Sequence, residues 1–274
     1  MKKITKSRIK NPFLFVAIFS MSVFIIISWL LGSTFWEIIT YSEEFIKANS
    51  GGMSRKEYLD MILPQILTWE NSWQGTFVYL VNFFPLFPCF VVLVFLRELK
   101  GYFPYAVIYT KSGNGSLRKT CFFYAMLGGG VVTISLLLGN AMLAPFAKAA
   151  LPDIGGADDL FPKNFYALHP FLVFNVLACT VYFLAGFAFA FMACSVALWK
   201  NNAVAVLGIP FLFYHFENFV SSQLRGFLPL ASGESVLAFN TPYNILEVSL
   251  PLLIIVGVSI IAIEIKIHSK KGWI

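Results

Sequence analysis

Residues 12–31 read PFLFVAIFSMSVFIIISWLL, twenty positions without one charged side chain. A helix rises about 1.5 Å per residue, so about 20 mostly apolar residues cross the ~30 Å hydrocarbon core of a bilayer. The stretch therefore reads as a membrane span. Lys2, Lys3, Lys6, Arg8 and Lys10 precede it and resemble the basic start of a signal peptide. The apolar run behind them is too long for a signal core, and no A-x-A cleavage pattern follows, so an uncleaved first span is expected.

Working outward, five further stretches qualify or nearly do: residues 76–96, 121–147, 170–199, 203–219 and 246–265. The third and fourth spans exceed the length required and are expected to tilt or project. The fifth is the shortest and contains Pro210. Composition agrees with this reading. Of 274 residues, 58% are hydrophobic and 12% charged, and the mean hydropathy is +0.75. A soluble domain carries about 45–50% apolar and about 25% charged residues. Thirty Phe, eleven Tyr and six Trp suit a lipid-facing surface with aromatic belts. The net charge of +6 would suit nucleic acid only if the basic residues shared one wetted face. They lie between apolar runs, so no nucleic-acid partner is expected. Cys89, Cys121, Cys179 and Cys194 fall in or beside apolar segments without CxxC or Cys/His spacing, and read as small buried apolar residues.

Charge then sets orientation. Residues 1–11, 97–120, 200–202 and 266–274 hold 14 of the 20 Lys and Arg, whereas most acids lie in the alternate connections. Basic residues stay on the cytoplasmic side during insertion, which places both termini inside and requires an even number of spans. Six satisfies that. The expected fold is one all-α polytopic domain.

Two outer connections are long. Residues 33–75 contain Ser54-x-x-Glu57, a capping box, ahead of Tyr58, Met61, Ile62, Gln65, Ile66 and Trp69. That spacing predicts an amphipathic outer helix over 54–70, kinked near Pro64, with Trp69 and Trp73 at headgroup level and Gly51-Gly52 as a hinge before it. Residues 217–247 alternate short apolar pieces with Gly226, Gly233 and Pro242, too short to span, and predict a re-entrant outer segment flanked by Glu217 and Glu247. The third outer connection, residues 148–169, is turn-rich.

Polar side chains within spans are costly, which singles out Asn82, Asn140, Asn175 and Glu264. The three asparagines are candidates for a translocation path or for bonds between helices. Gly128-Gly129-Gly130 and Gly186-x-x-x-Ala190 permit close backbone approach. Catalytic patterns fail on inspection. Gly113-x-x-x-x-Arg118-Lys119-Thr120 has Arg where a P-loop requires its second Gly, and no strand precedes it. His169, His215 and His268 belong to no HExxH motif, Glu43-Glu44 lacks downstream partners, and Gly233-Glu234-Ser235 lies outside a strand-turn-helix elbow. No catalytic or metal site is expected on this chain.

The inner loop at 97–120 starts polar (Arg97, Glu98, Lys100, Gly101), turns apolar over Tyr105, Val107, Ile108 and Tyr109, then passes glycines to Ser116, Arg118 and Lys119. Such a pattern predicts a short helix along the cytoplasmic face that can fill a partner's groove. Here the chain resembles the permease subunits of ABC-2 type transporters, in a subgroup common in Gram-positive bacteria. Glu98 and Gly101 match the acidic residue and glycine closing the second span, residues 105–110 the coupling helix, and Ser116, Arg118 and Lys119 the turn into the third span. The Pro-rich second span (Phe84-Pro85-Leu86-Phe87-Pro88), the basic N-terminal elbow, the six spans and the re-entrant segment extend the likeness over the whole topology. The Gly113-Asn114-Gly115 insertion departs from the pattern. The resemblance implies a type V exporter-like fold in a bacterial cytoplasmic membrane. It also implies a second permease subunit, identical or not, and separate ATP-binding subunits that hold ATP and Mg; this chain carries no cofactor. The cargo implied is hydrophobic or amphipathic: peptide, drug or lipid. The alternatives are a non-transporting sensor or scaffold and an intramembrane enzyme.

Overall fold

A computed structural model describes residues 12–109, 113–150, 161–162, 164–224 and 245–269. The described chain is nearly all helical. Five helices are long and apolar enough to cross a membrane, and a bent pair brings the total to six if it counts as one crossing.

The first crossing is α1 (Pro12–Gly32). Three short helices follow, α2 (Phe35–Thr40), α3 (Glu43–Asn49) and α4 (Arg55–Ile66). The capping box forms as expected: Glu57 N donates to Ser54 Oγ at 3.4 Å, and Ser54 N donates to Glu57 Oε2 at 2.9 Å. Two hydrogen bonds to the ionised carboxylate hold the Glu57 pKa below its ordinary 4.5. The helix ends at Ile66, short of the expected 70. A new one, α5 (Trp69–Phe83), starts behind Thr68, whose hydroxyl accepts from Asn71 N at 3.3 Å.

The second crossing therefore starts seven residues before the expected Thr76. It also breaks. Pro85 lacks an N–H and its ring clashes with the carbonyl four residues back, so α5 stops at Phe83. The chain resumes as α6 (Leu86–Phe90) and α7 (Val92–Tyr109), at 53° to α5. The third crossing, α8 (Gly113–Leu143), starts eight residues before the expected Cys121. After α9 (Phe165–Leu168), the fourth crossing consists of α10 (Pro170–Leu177), a π turn over Ala178–Tyr182, and α11 (Phe183–Trp199). Thr133 Oγ1 donates to the Ala178 carbonyl at 3.0 Å, drawing that oxygen towards the third crossing where the ladder widens. The last two crossings are α12 (Ala203–Leu224), which carries Pro210 without ending there, and α13 (Ile245–His268).

The fourth crossing is the hub. In its apolar window 67% of residues are buried, against 22% in α1 and in α12, so it is ringed by protein while those two face outward. Its tightest contact is with α8. A Cβ on Gly128 would lie 2.3 Å from the Ala190 Cβ, and one on Gly186 would lie 2.6 Å from Val132 and 2.9 Å from the Gly128 carbonyl oxygen. Bare backbone surfaces thus meet, and dispersion contacts replace the hydrophobic drive that lipid does not supply. A second close approach joins α1 to α5. Ser28 Oγ donates to the Gly75 carbonyl at 3.1 Å and accepts from Tyr79 N at 3.0 Å.

Side chains at the helix ends show which ends lie together. Arg97 rests 4.7 Å from the Phe13 ring, the Phe95 ring meets Tyr124 at a tilt of 41°, Arg118 pairs with Glu264, and Lys266 lies 5.3 Å from the Trp199 ring. The start of α1 and the end of α13 therefore share one end of the bundle, as an even number of crossings requires. At the far end, Trp69 N donates to Lys148 O and Lys148 N to Leu67 O.

Gly128→Ala should destabilise the protein by about 1–3 kcal/mol through overpacking. Gly130→Ala, where a Cβ meets nothing within 4 Å, should stay within about 0.5 kcal/mol; thermal unfolding of both variants in one detergent makes the comparison. The lowered Glu57 pKa means that its capping contribution is present above 4.5 and is lost as pH falls through the lower folded value. Hydrogen exchange over Arg55–Ile66, compared at each pH with Glu57→Gln, should show wild-type protection falling towards that of the variant only below about pH 4.5.

Candidate functional site

The end that gathers residues 13, 97, 118, 199 and 266 also carries the sequence-expected coupling residues. Leu96 and Leu99 are buried while Arg97 and Lys100 are exposed, so the helix keeps one packed face at least as far as Leu99. Nothing stops α7 there. Gly101 is exposed, with open space around a notional Cβ, and it serves no close approach. One interior glycine costs a helix only about 1 kcal/mol. The helix runs on to Tyr109, so residues 105–109 continue the second crossing instead of forming a separate helix laid along the surface. Of Tyr105, Val107 and Ile108 the backbone is described, and Thr110 lies outside the described residues. The α8 helix returns from Gly113, so the expected loop is in outline a helical hairpin whose base packs in the core through Leu99 and Leu117, with residues 110–112 outside the described residues.

Within this hairpin Glu98 is half-buried and Arg97 is held over Phe13. Arg118 points sideways across α8 to Glu264 on α13, where His268 Nδ1 also approaches the Glu264 carboxylate at 3.7 Å. Sequence reasoning singled out Glu264 as a costly polar residue but could not name its partner, since 146 residues separate Arg118 from Glu264. Lys119 is exposed and has no ion-pair partner among the described residues.

The three in-span asparagines divide. Asn140 Nδ2 donates to Asn175 Oδ1 at 2.9 Å, tying α8 to α10 with Asn140 fully enclosed. That pair bonds between helices. Asn82 sits apart with its side chain exposed, and its carbonyl oxygen meets His215 Nε2 at 3.1 Å beside the break in the second crossing. Glu217 lies half-buried within α12, and Glu247 falls in the first turn of α13. The expected re-entrant segment at 225–244 lies outside the described residues.

At the opposite end a polar residue is deeply buried. Glu70, in the first turn of α5, accepts from Ala150 N at 2.9 Å through Oε1 and at 3.2 Å through Oε2. Next to it, Trp69 and Trp73 are buried by protein instead of lying on an exposed helix face. Trp73 stacks on Phe174 at 4.6 Å, and its Nε1 donates to the Tyr182 hydroxyl at 3.4 Å. Trp is a common interface residue, and here a protein partner supplies both the apolar surface and the hydrogen bond. Cys179 is likewise exposed on the π turn, while Cys89, Cys121 and Cys194 are buried.

Cavities indent the bundle at both ends. A wide groove of about 740 Å³ opens on its flank between α8, α11 and α13, at the basic end. A smaller pocket of about 180 Å³ lies near the other end, bounded by Ile25, Trp29, Leu67, Gly139 and Phe146. Among the described residues no three His, Cys, Asp or Glu side chains gather as metal ligands would. Comparisons with protein-family models, with curated proteins and with solved structures find no match for this chain.

A double-mutant cycle on Asn140→Ala and Asn175→Ala should give a coupling energy of about 1 kcal/mol, as interhelical polar pairs in lipid do. Additive losses in reversible unfolding from mixed micelles would show that the pair carries no net bond.

Proposed function

We propose that this chain is the transmembrane permease subunit of an ATP-driven ABC-2 type exporter. In this reading it sits in a bacterial cytoplasmic membrane with both termini inside and pairs with a second permease subunit. Separate ATPase subunits hold ATP and Mg. Their closure moves the permease halves and drives a hydrophobic or amphipathic cargo outward.

The observation that carries the reading is the helical hairpin at 97–120. Thirteen residues of α7 follow Leu96, a helical length of about 20 Å, with Leu99 still packed in the core. The sequence there is apolar at Tyr105, Val107 and Ile108, which lipid does not require of a segment beyond the hydrocarbon core. A protein groove would accept it in the helix-in-groove mode. The basic residues Arg97, Lys100, Arg118 and Lys119 around it match the side on which a nucleotide-driven partner would stand. The chain's own helices account for the membrane path and leave energy coupling to a partner polypeptide.

Affinity purification from native membranes in a mild detergent should bring down an ATP-binding subunit with ATPase activity. Val107→Asp or Ile108→Asp should lower that association about tenfold or more, equivalent to about 1.4 kcal/mol, while the variant still inserts in the membrane. Failure of any ATPase to copurify with the wild type would sink the transporter reading. Unchanged association of the variants would remove the hairpin from its role.

A further inference from the structure

The wide groove at the basic end has apolar walls that the transport reading does not use, beside two of the basic residues that it does. Its mouth carries Arg118 and Lys119, and its walls are apolar, built from Phe122 and Met126 of α8 and Ile260 of α13. These walls are open to the surroundings: Phe122 is 53% exposed, Met126 42% and Ile260 46%. A volume of about 740 Å³ lies within the range of about 300–1,000 Å³ for sites that enclose one small amphiphile. Cation above and hydrocarbon below is complementary to a lipid with a phosphate head.

We propose that this groove binds one anionic phospholipid, its phosphate on Arg118 and Lys119 and an acyl chain along Phe122, Met126 and Ile260. Basic pockets between membrane helices hold anionic headgroups in this way. Glu264 does not cancel the site. It occupies one edge of the Arg118 guanidinium, and the planar fork keeps further N–H donors that a phosphate oxygen can accept. The pair holds one edge of Arg118 at the groove mouth, and Lys119, exposed and without an ion-pair partner among the described residues, supplies the second cation. A second copy of the chain would have to bring an acidic group to this mouth, and the chain's acids lie mainly in the other connections. The proposal is independent of whether an ATPase partner exists.

The test uses the full chain reconstituted in vesicles of equal phosphatidylglycerol and phosphatidylcholine, re-extracted in mild detergent and weighed by native mass spectrometry. Wild-type protein should retain phosphatidylglycerol at least fivefold over phosphatidylcholine. Lys119→Gln and Arg118→Gln should each lower that preference about fivefold, the effect of one cationic contact. Lys119→Arg should keep it, and Lys200→Gln, a basic residue outside the groove, should leave it unchanged. Lys119 is exposed and unpaired among the described residues, so its removal leaves the bundle intact. A photoreactive benzoylphenylalanine at position 126 should gain the mass of one phospholipid. Equal retention of the two lipids, an equal loss in Lys200→Gln, or a gain of a second 30.7 kDa chain at position 126 would each overturn the proposal. Competition by glycerol phosphate at the same concentration as the lipid would do so too, since it would make this a free-phosphate site.

Discussion

Everything in this bundle rests on the contact between bare backbone at Gly128 and Gly186. In lipid, two apolar helices gain nothing from leaving their solvent, because acyl chains are as apolar as leucine. What holds them is close approach, which multiplies small dispersion contacts. A Cβ on Gly128 would fall 2.3 Å from that of Ala190, so the third and fourth crossings meet at a distance that only small residues permit. The fourth crossing can then be surrounded by the others, and its burial makes it the axis about which the rest is arranged.

Polar groups act on this frame as register marks. Ser28 bridges the first crossing to Gly75 and Tyr79, Thr133 reaches the Ala178 carbonyl, and Asn140 meets Asn175. Each satisfies a group that would be costly to leave unpaired in hydrocarbon, and each fixes a vertical position that apolar packing alone would leave free to slide. Charge is held back to the ends. There Arg118 with Glu264, Arg97 over Phe13 and Lys266 near Trp199 tie different crossings together where water can still reach them.

Much of the architecture was legible in the sequence because apolar length is a direct consequence of bilayer thickness. The five helices long enough to cross, the bent pair that can make a sixth, and the capping box at Ser54 follow from such local rules. The start of α5 did not. Hydropathy counts Glu70, Asn71, Ser72 and Gln74 as aqueous, but Glu70 is buried by accepting the Ala150 amide, a partner 80 residues away. The burial of Trp69 and Trp73 was hidden for the same reason, since their stacking partner Phe174 lies far along the chain. In the inner loop Gly101 read as a stop, whereas the helix tolerates it and continues. Asn140 and Asn175 stood out as candidates, yet nothing local could say that each answers the other. The ion pair of Arg118 and the groove beside it depend on where α13 falls against α8, a packing outcome invisible to any local pattern.

The break at Phe84–Pro85 gives one stretch of chain two sets of neighbours. Before it, α5 is clamped to the first crossing by Ser28, whose hydroxyl bonds α5 as both donor and acceptor. Across the turn Phe87 N donates to Phe84 O at 3.3 Å, and beyond it Cys89 Sγ donates to the Phe189 carbonyl of the fourth crossing at 3.5 Å. A straight helix would offer both neighbours one axis; the 53° bend lets each half lie along its own.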